Sequence, residues 1–428
     1  MQATFATHRL GLVPRWGLVV FCLISIGVSG KQMFWYFSHG PMVTDLRIFM
    51  TGVDMVASGQ GRQLYQFDAQ EKAQVRLYPE TRTNGLLPFN HLAYELLFYW
   101  PVSGLSYRMA LLVWALGNVA LVFLIAWLLT PYSRALTQGT GVPLALYLLA
   151  FYPVMYVLGE GQDSLIFLLL LVVSLRSMDS GRTFMAGFLI ALACFKFHLV
   201  LAIVFFVFLL RGKWRGLAGF VSGAALVGGI SLAIVGPAIV HDYPAMLRRQ
   251  DVMTPWGFIP VFMPNLRGFL QWALAPWLDL GAILPVVLIS SAVVGGVATW
   301  FVLRYRTKND ESMVYAVVIL TTILISYHLH MQDLTMALLP MLVLAERAAR
   351  EWFERGTTRE EPGGAPVSTV WTVVLAITIA VLYLYRISAE VFPILVVRGC
   401  LLAVPVFVLW VVALRWWRTK VSGEALPG

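Results

Sequence analysis

The chain has 428 residues, 59% of them hydrophobic and only 12% charged, with a mean hydropathy of +0.77. Water-soluble proteins of this length carry about 25% charged residues, so a soluble globular domain is excluded. The net charge of +9 does not call for nucleic acid, because Lys and Arg gather in short turns between recurrent apolar runs, as expected on one side of a membrane.

These runs do not alternate polar and apolar residues, which excludes a transmembrane barrel. The expectation is an all-α polytopic bundle of about 12 transmembrane helices. The start, MQATFATHRLGLVPRWGLVVFCLISIGVSG, is basic and then apolar without a clean small-residue cleavage site, so it is read as the first span. Spans are expected near 16–37, 107–129, 142–158, 162–176, 183–195, 198–210, 216–235, 281–303, 312–327, 333–346, 368–386 and 393–415. Several are too short to cross alone, as happens where neighbours bury a segment or water enters a cavity.

One integral membrane domain, 1–428, is expected, with a first outer loop at 38–106, a second outer region at 236–280 and a solvated inner linker at 347–367. With the N-terminus inside, segments 1–15, 130–141, 176–182, 211–215, 304–311, 347–367 and 415–428 hold 18 of the 31 Lys and Arg residues. The turns RGKWR, RYRTK and RWWRTK on that side are compact and basic, as the positive-inside rule requires. In the first loop, Leu46, Phe49, Val53 and Val56 recur at helical spacing, which predicts an amphipathic interfacial helix over 46–58 ended by Gly59. The run LLPFNHLAYELLFYWPV, 86–102, carries Asn90, His91 and Glu95 between prolines and reads as a re-entrant or interfacial helix. Cys22, Cys194 and Cys400 are isolated, with no metal spacing and no evident disulfide partner.

Under this topology the unusual polar groups fall on the outer side: Asp45, Asn90, His91, Glu160, Gln162, Asp163, Lys196, His198, Asn265, Arg267, His328, His330 and Asp333. Ionisable residues at membrane depth are costly and usually face a cavity, so a polar pocket in the outer half is expected. Each residue also has a purely structural reading. Asp45 fits an N-cap for 46–58. GEGQDS fits a tight polar hairpin, His330 and Asp333 fit a structural pair, and Arg267 fits a lipid-headgroup contact. Lys196 interrupts a long apolar run at a point from which snorkelling is difficult. No Walker loop, dinucleotide fingerprint, His-Glu-x-x-His spacing or Gly-x-Ser-x-Gly elbow is present. A lipid-linked phosphate suits such a pocket: the tail lies among the spans, Lys and Arg hold the phosphate, and a carboxylate deprotonates an attacking hydroxyl. No cofactor is called for.

The ordered segments TDLRIFMTGVDMVASGQGRQLYQFD, LLPFNHLAYELLFYWPVSGLSYR, GEGQDSLIFLLLL, FKFHLVLAIVFFVFLLRGKWRGL, PNLRGFL and YHLHMQDLTMALLP, spread over roughly residues 40–340, resemble glycosyltransferase family 87 of the GT-C superfamily. That family includes polyprenyl-phosphate-mannose-dependent α-mannosyltransferases. The resemblance implies transfer of a sugar, mannose foremost, from a polyprenyl-phosphate donor to a hydroxyl acceptor on a lipid or glycan, with inversion, in a bacterial inner membrane. It implies Asp45 as the general base and Lys196 at the donor phosphate. His328, His330 and Asp333 match the segment closing the pocket, and Gln162 matches the Gly-Gln turn. Arg267 and His330 join Lys196 as phosphate-binding candidates. Asn90, His91, Glu160, Gln162, His198, His328 and Asp333 are the candidates for sugar or acceptor. Two motifs depart from the family pattern: Lys-Pro reads Lys196-Phe197, and paired prolines read Pro88-Phe89-Asn90-His91. No Asp-x-Asp lies near Asp45, so no metal is implied. The rival readings are a transporter or flippase of a lipid-linked saccharide, disfavoured by the lack of an internal repeat, and a scaffold with a decayed site.

Overall fold

The computed structural model describes residues 11–253, 260–306, 310–355, 367–392 and 398–422. In chain order the helices are α1 (Leu12–His39), α2 (Leu46–Ala57), α3 (Phe67–Leu77), α4 (Leu96–Tyr99), α5 (Tyr107–Leu128), α6 (Arg134–Thr140), α7 (Leu144–Ala150), α8 (Tyr152–Glu160), α9 (Ser164–Asp179) and α10 (Thr183–Ala191). They continue as α11 (Phe197–Val204), α12 (Trp214–Val235), α13 (Ile239–Met253), α14 (Leu266–Leu274), α15 (Leu280–Arg304), α16 (Glu311–Ile325), α17 (Leu338–Arg355), α18 (Val367–Val391) and α19 (Ala403–Ser422). No strand occurs among the described residues. The chain is an all-α polytopic membrane protein.

Six stretches among the described residues, those containing α1, α5, α12, α15, α18 and α19, are long and apolar enough to cross a membrane. A seventh arises if α10 and the segment Cys194–Leu209, bent by 62° at their junction, form one broken span. Their outward faces are greasy: Leu116, Phe123, Trp127, Val221, Leu288, Ile289, Trp300 and Ile377 are all exposed. That is the arrangement expected when lipid rather than water is the surrounding solvent. The other expected spans are short pieces enclosed by these helices. At 142–158 the chain breaks into α7 and α8 at Phe151, with Pro153 in the first turn of α8. Pro153 has no N–H to give the Leu149 carbonyl four residues back and its ring clashes there, so one helix does not run through unbroken. At 312–327, α16 has 15 residues, all but two of them buried, and spans only about 22 Å at 1.5 Å per residue. The 333–346 segment begins with the 3-10 turn Gln332–Ala337.

α10 and α12 pack backbone to backbone. A Cβ on Gly187 would lie 1.8 Å from the Gly216 carbonyl oxygen, and one on Gly219 would lie 1.9 Å from that of Phe184. Small residues at such crossings let helices associate through van der Waals contact, where lipid gives no hydrophobic drive. At the end of the bundle away from the first loop, Arg211 makes a bidentate pair with Glu311, at 2.5 and 2.8 Å, and both are buried. There too Glu346 accepts from the backbone N–H groups of Ala135 and Leu136, capping α6.

The expected helix at 46–58 is α2, and Gly59 follows it at φ +78°. Its Leu46, Phe49, Met50 and Val53 bury against Leu96, Tyr99, Ala110 and Leu111 in a second, smaller core beneath the first loop. The 86–102 segment differs from expectation. It is irregular to Leu92 and then forms only short turns and α4. Two glutamines one turn apart on α3 serve this backbone. Gln70 donates to the Phe89 carbonyl (3.2 Å) and accepts from the Phe89 N–H (2.6 Å). Gln74 does the same with Leu87, both at 3.1 Å. Tyr65 and Tyr243 donate to the carbonyls of His91 and Asn90. The polar groups that a helix would have satisfied internally are thus satisfied by neighbours. α17 runs to Arg355, inside the segment expected as a solvated linker, and 356–366 fall outside the described residues.

Candidate active site

The segments that the sequence singled out converge. Asp45 begins α2, yet its side chain does not cap that helix. Its Oδ2 accepts a 2.6 Å hydrogen bond from Gln162 Nε2 instead, which removes the N-cap reading. The Asp45 backbone N–H donates to Glu160 Oε2 at 3.0 Å. Gly161, between those two partners, holds φ +72°, and a Cβ there would lie 2.7 Å from Leu46 Cβ. Only glycine lets the α8–α9 turn close on the start of α2, so GEGQDS is a tight turn and a wall of the site at once. Glu160 is 4% exposed and also takes hydrogen bonds from Tyr36 and Tyr156, so its carboxylate is occupied by protein donors.

Asp163, next after Gln162, faces Lys196, which lies in the break between α10 and α11. Lys196 is 4% exposed and does not snorkel. Its Nζ donates to Asp333 Oδ1 at 2.7 Å and lies 3.4 Å from Asp163 Oδ1. Asp333 Oδ2 accepts from the backbone N–H of His330 at 3.0 Å, so the expected His330–Asp333 side-chain pair is a backbone cap. The histidines meet edge to face in a row: His328 and His330 ring centroids are 4.3 Å apart, and those of His198 and His328 5.9 Å.

Arg267 is buried, donates to the Tyr327 carbonyl at 2.9 Å and lies 3.8 Å over that ring, so it does not present itself to headgroups. Asn265 caps α14 through Gly268 N–H and donates to the Ser326 carbonyl at 2.8 Å. Together they hold the 326–330 turn against the cluster. His91 closes another side. Its Nδ1 lies 2.7 and 2.6 Å from the two oxygens of Glu95, which is fully buried. Burial pushes the Glu95 carboxyl up to about 7 and the His91 imidazole down to about 4. Asn90 lies beside His91, with its backbone carbonyl held by Tyr243.

Ten of the eleven candidate side chains therefore belong to one neighbourhood or flank it, and Asn90 adjoins it through its backbone. Three more groups join them. Glu95 and Asp163 stood among the polar residues of their segments without an assigned role, and buried Arg47, which interacts with Asp45 and Glu160, gave no signal of its own in the first loop. An apolar cleft of about 390 Å³ lined by Leu18, Phe21, Tyr147, Leu342 and Tyr383 shares no residue with this cluster.

Carboxylates, a lysine and histidines gathered beneath the first loop of an all-α polytopic membrane protein make this cluster a candidate active site of a membrane enzyme. Residues 95–326 match glycosyltransferase family 87, and the chain belongs to that family: it is a membrane glycosyltransferase. No curated protein and no solved structure matches the chain.

Proposed function

We propose that the protein transfers a sugar, mannose foremost, from a polyprenyl-phosphate donor to a hydroxyl of a lipid or glycan acceptor, with inversion, on the outer face of a bacterial inner membrane. The observation that carries this reading is the Asp45–Gln162 bond. It leaves a half-buried carboxylate off its helix cap and aimed into a cluster that also contains Lys196. Asp45 takes the proton of the acceptor hydroxyl as that oxygen bonds to the anomeric carbon. The bond from that carbon to the phosphate oxygen breaks, and polyprenyl phosphate leaves with the electron pair. Lys196, Arg267 and His330 are the groups for phosphate charge, while Asn90, His91, His198 and His328 are those for sugar or acceptor hydroxyls. Gln162 orients Asp45, Glu160 fixes the backbone behind it, and Asp333 fixes Lys196. The basic turns on the opposite side support the outer-face orientation, and no nucleic acid is involved.

Asp45→Asn tests the base. The amide oxygen still accepts from Gln162, so the fold is retained, while transfer from polyprenyl-phosphate mannose should fall by the roughly 10²–10⁴-fold that a positioned base contributes. Turnover within a factor of about three of the parent, at equal expression, would remove Asp45 from that role.

A further inference from the structure

Charge in the site does not balance around an anionic donor. Asp45, Glu95, Glu160, Asp163 and Asp333 supply five carboxyl groups, against Lys196 and Arg47 beside them and Arg267 at the 326–330 turn. Lys196 is already shared between Asp333 and Asp163. Within this group, His91, Glu95 and Asp163 each offer a ligand atom, and the three atoms lie within 4.8 Å of one another. Asp163 is fully buried, no N–H or O–H group donates to its oxygens, and its carboxylate lies in hydrogen-bond contact with the Glu95 carboxyl. Two buried carboxyl groups in contact are stabilised by a shared proton or by a cation between them, and Lys196, 3.4 Å from Asp163, gives its hydrogen bond to Asp333.

We infer that His91, Glu95 and Asp163 form a binding site for one divalent cation of the Mn²⁺ or Mg²⁺ type. Two carboxylates and one imidazole supply the hard, oxygen-rich donor set that such ions prefer, and an octahedral ion keeps positions for water or phosphate oxygens. The ligands come from two distant segments. His91 and Glu95 are four apart, His91 near the end of the irregular 86–92 stretch and Glu95 on the turn after it, and Asp163 is in the tight turn before α9. No sequence spacing announces such a set, and the Asp-x-Asp pattern is not needed to build it. The ion's role, which rests on the transferase reading, is to offset donor phosphate charge alongside Lys196, Arg267 and His330. Its occupancy does not depend on that reading.

The test is Mn²⁺ binding to the full-length protein in detergent, stripped with chelator and desalted, followed by the electron paramagnetic resonance signal of free Mn²⁺. One Mn²⁺ per chain is expected. Glu95→Gln, His91→Gln and Asp163→Asn should each weaken it by at least the roughly 10–100-fold that loss of even an outer-shell partner costs. Asp45→Asn should bind Mn²⁺ like the parent although it does not turn over, which separates failure of the ion site from failure of the transferase assignment. Absence of stoichiometric binding in the parent, or undiminished binding in all the ligand variants that elute as monodisperse protein, overturns the proposal.

Discussion

Lys196 and Asp333 offer a prediction whose size follows from their geometry. The two are 2.7 Å apart and each about 5% exposed, so water does little to screen them. Removing one partner of a buried pair leaves an uncompensated charge and costs about 3–5 kcal/mol. Lys196→Met should fall in that range because Asp163, 3.4 Å away, loses its cation as well. Asp333→Leu should also fall there, since Lys196 keeps only Asp163 and the His330 N–H loses its acceptor. The double variant removes both charges of the pair but leaves Asp163, so it is not neutral. It should nevertheless be more stable than the sum of the single losses by about 2–3 kcal/mol, the upper end of couplings between contacting residues. Equilibrium unfolding in mixed micelles of mild and denaturing detergent, read by tryptophan fluorescence, measures the cycle. Losses that add to within about 0.5 kcal/mol would refute a direct buried pair.

Two further perturbations address the frame of the site. Gly161→Ala forces a side chain into a left-handed conformation, at about 1–2 kcal/mol, and into contact with Leu46. Stability should drop by at least that much and transfer should fall with it, because the Gln162–Asp45 bond is displaced; a variant with parental activity and midpoint would count against the tight turn. At the far end, Arg211→Leu strands the buried Glu311 carboxylate and should cost about 3–5 kcal/mol in the same unfolding assay. A loss under about 1 kcal/mol would show that Lys213, 3.8 Å away, replaces it.

Much of the site was legible in the sequence, since a charge inside an apolar run has few places to go. Lys196 announced itself in that way, and the α2 stripe fixed which face of the first loop is buried. Other features depend on contacts across distances no local pattern records. The irregular 86–92 stretch looks helical by hydropathy, and only its pairing with Gln70 and Gln74 makes an open backbone tolerable there. The short buried α16 has the hydropathy of a span, because periodicity does not distinguish a helix surrounded by protein from one surrounded by lipid. Glu95 and Asp163 lie 68 residues apart and meet only through the fold.

The central claim is that this cluster cleaves a lipid-linked sugar phosphate. Its most direct test is purified protein in liposomes supplied with isotope-labelled polyprenyl-phosphate mannose and an alkyl mannoside acceptor, with products identified by mass. The account predicts a new glycoside carrying the label together with released polyprenyl phosphate. Intact donor recovered in full, whether on its original leaflet or carried across the bilayer, would contradict it.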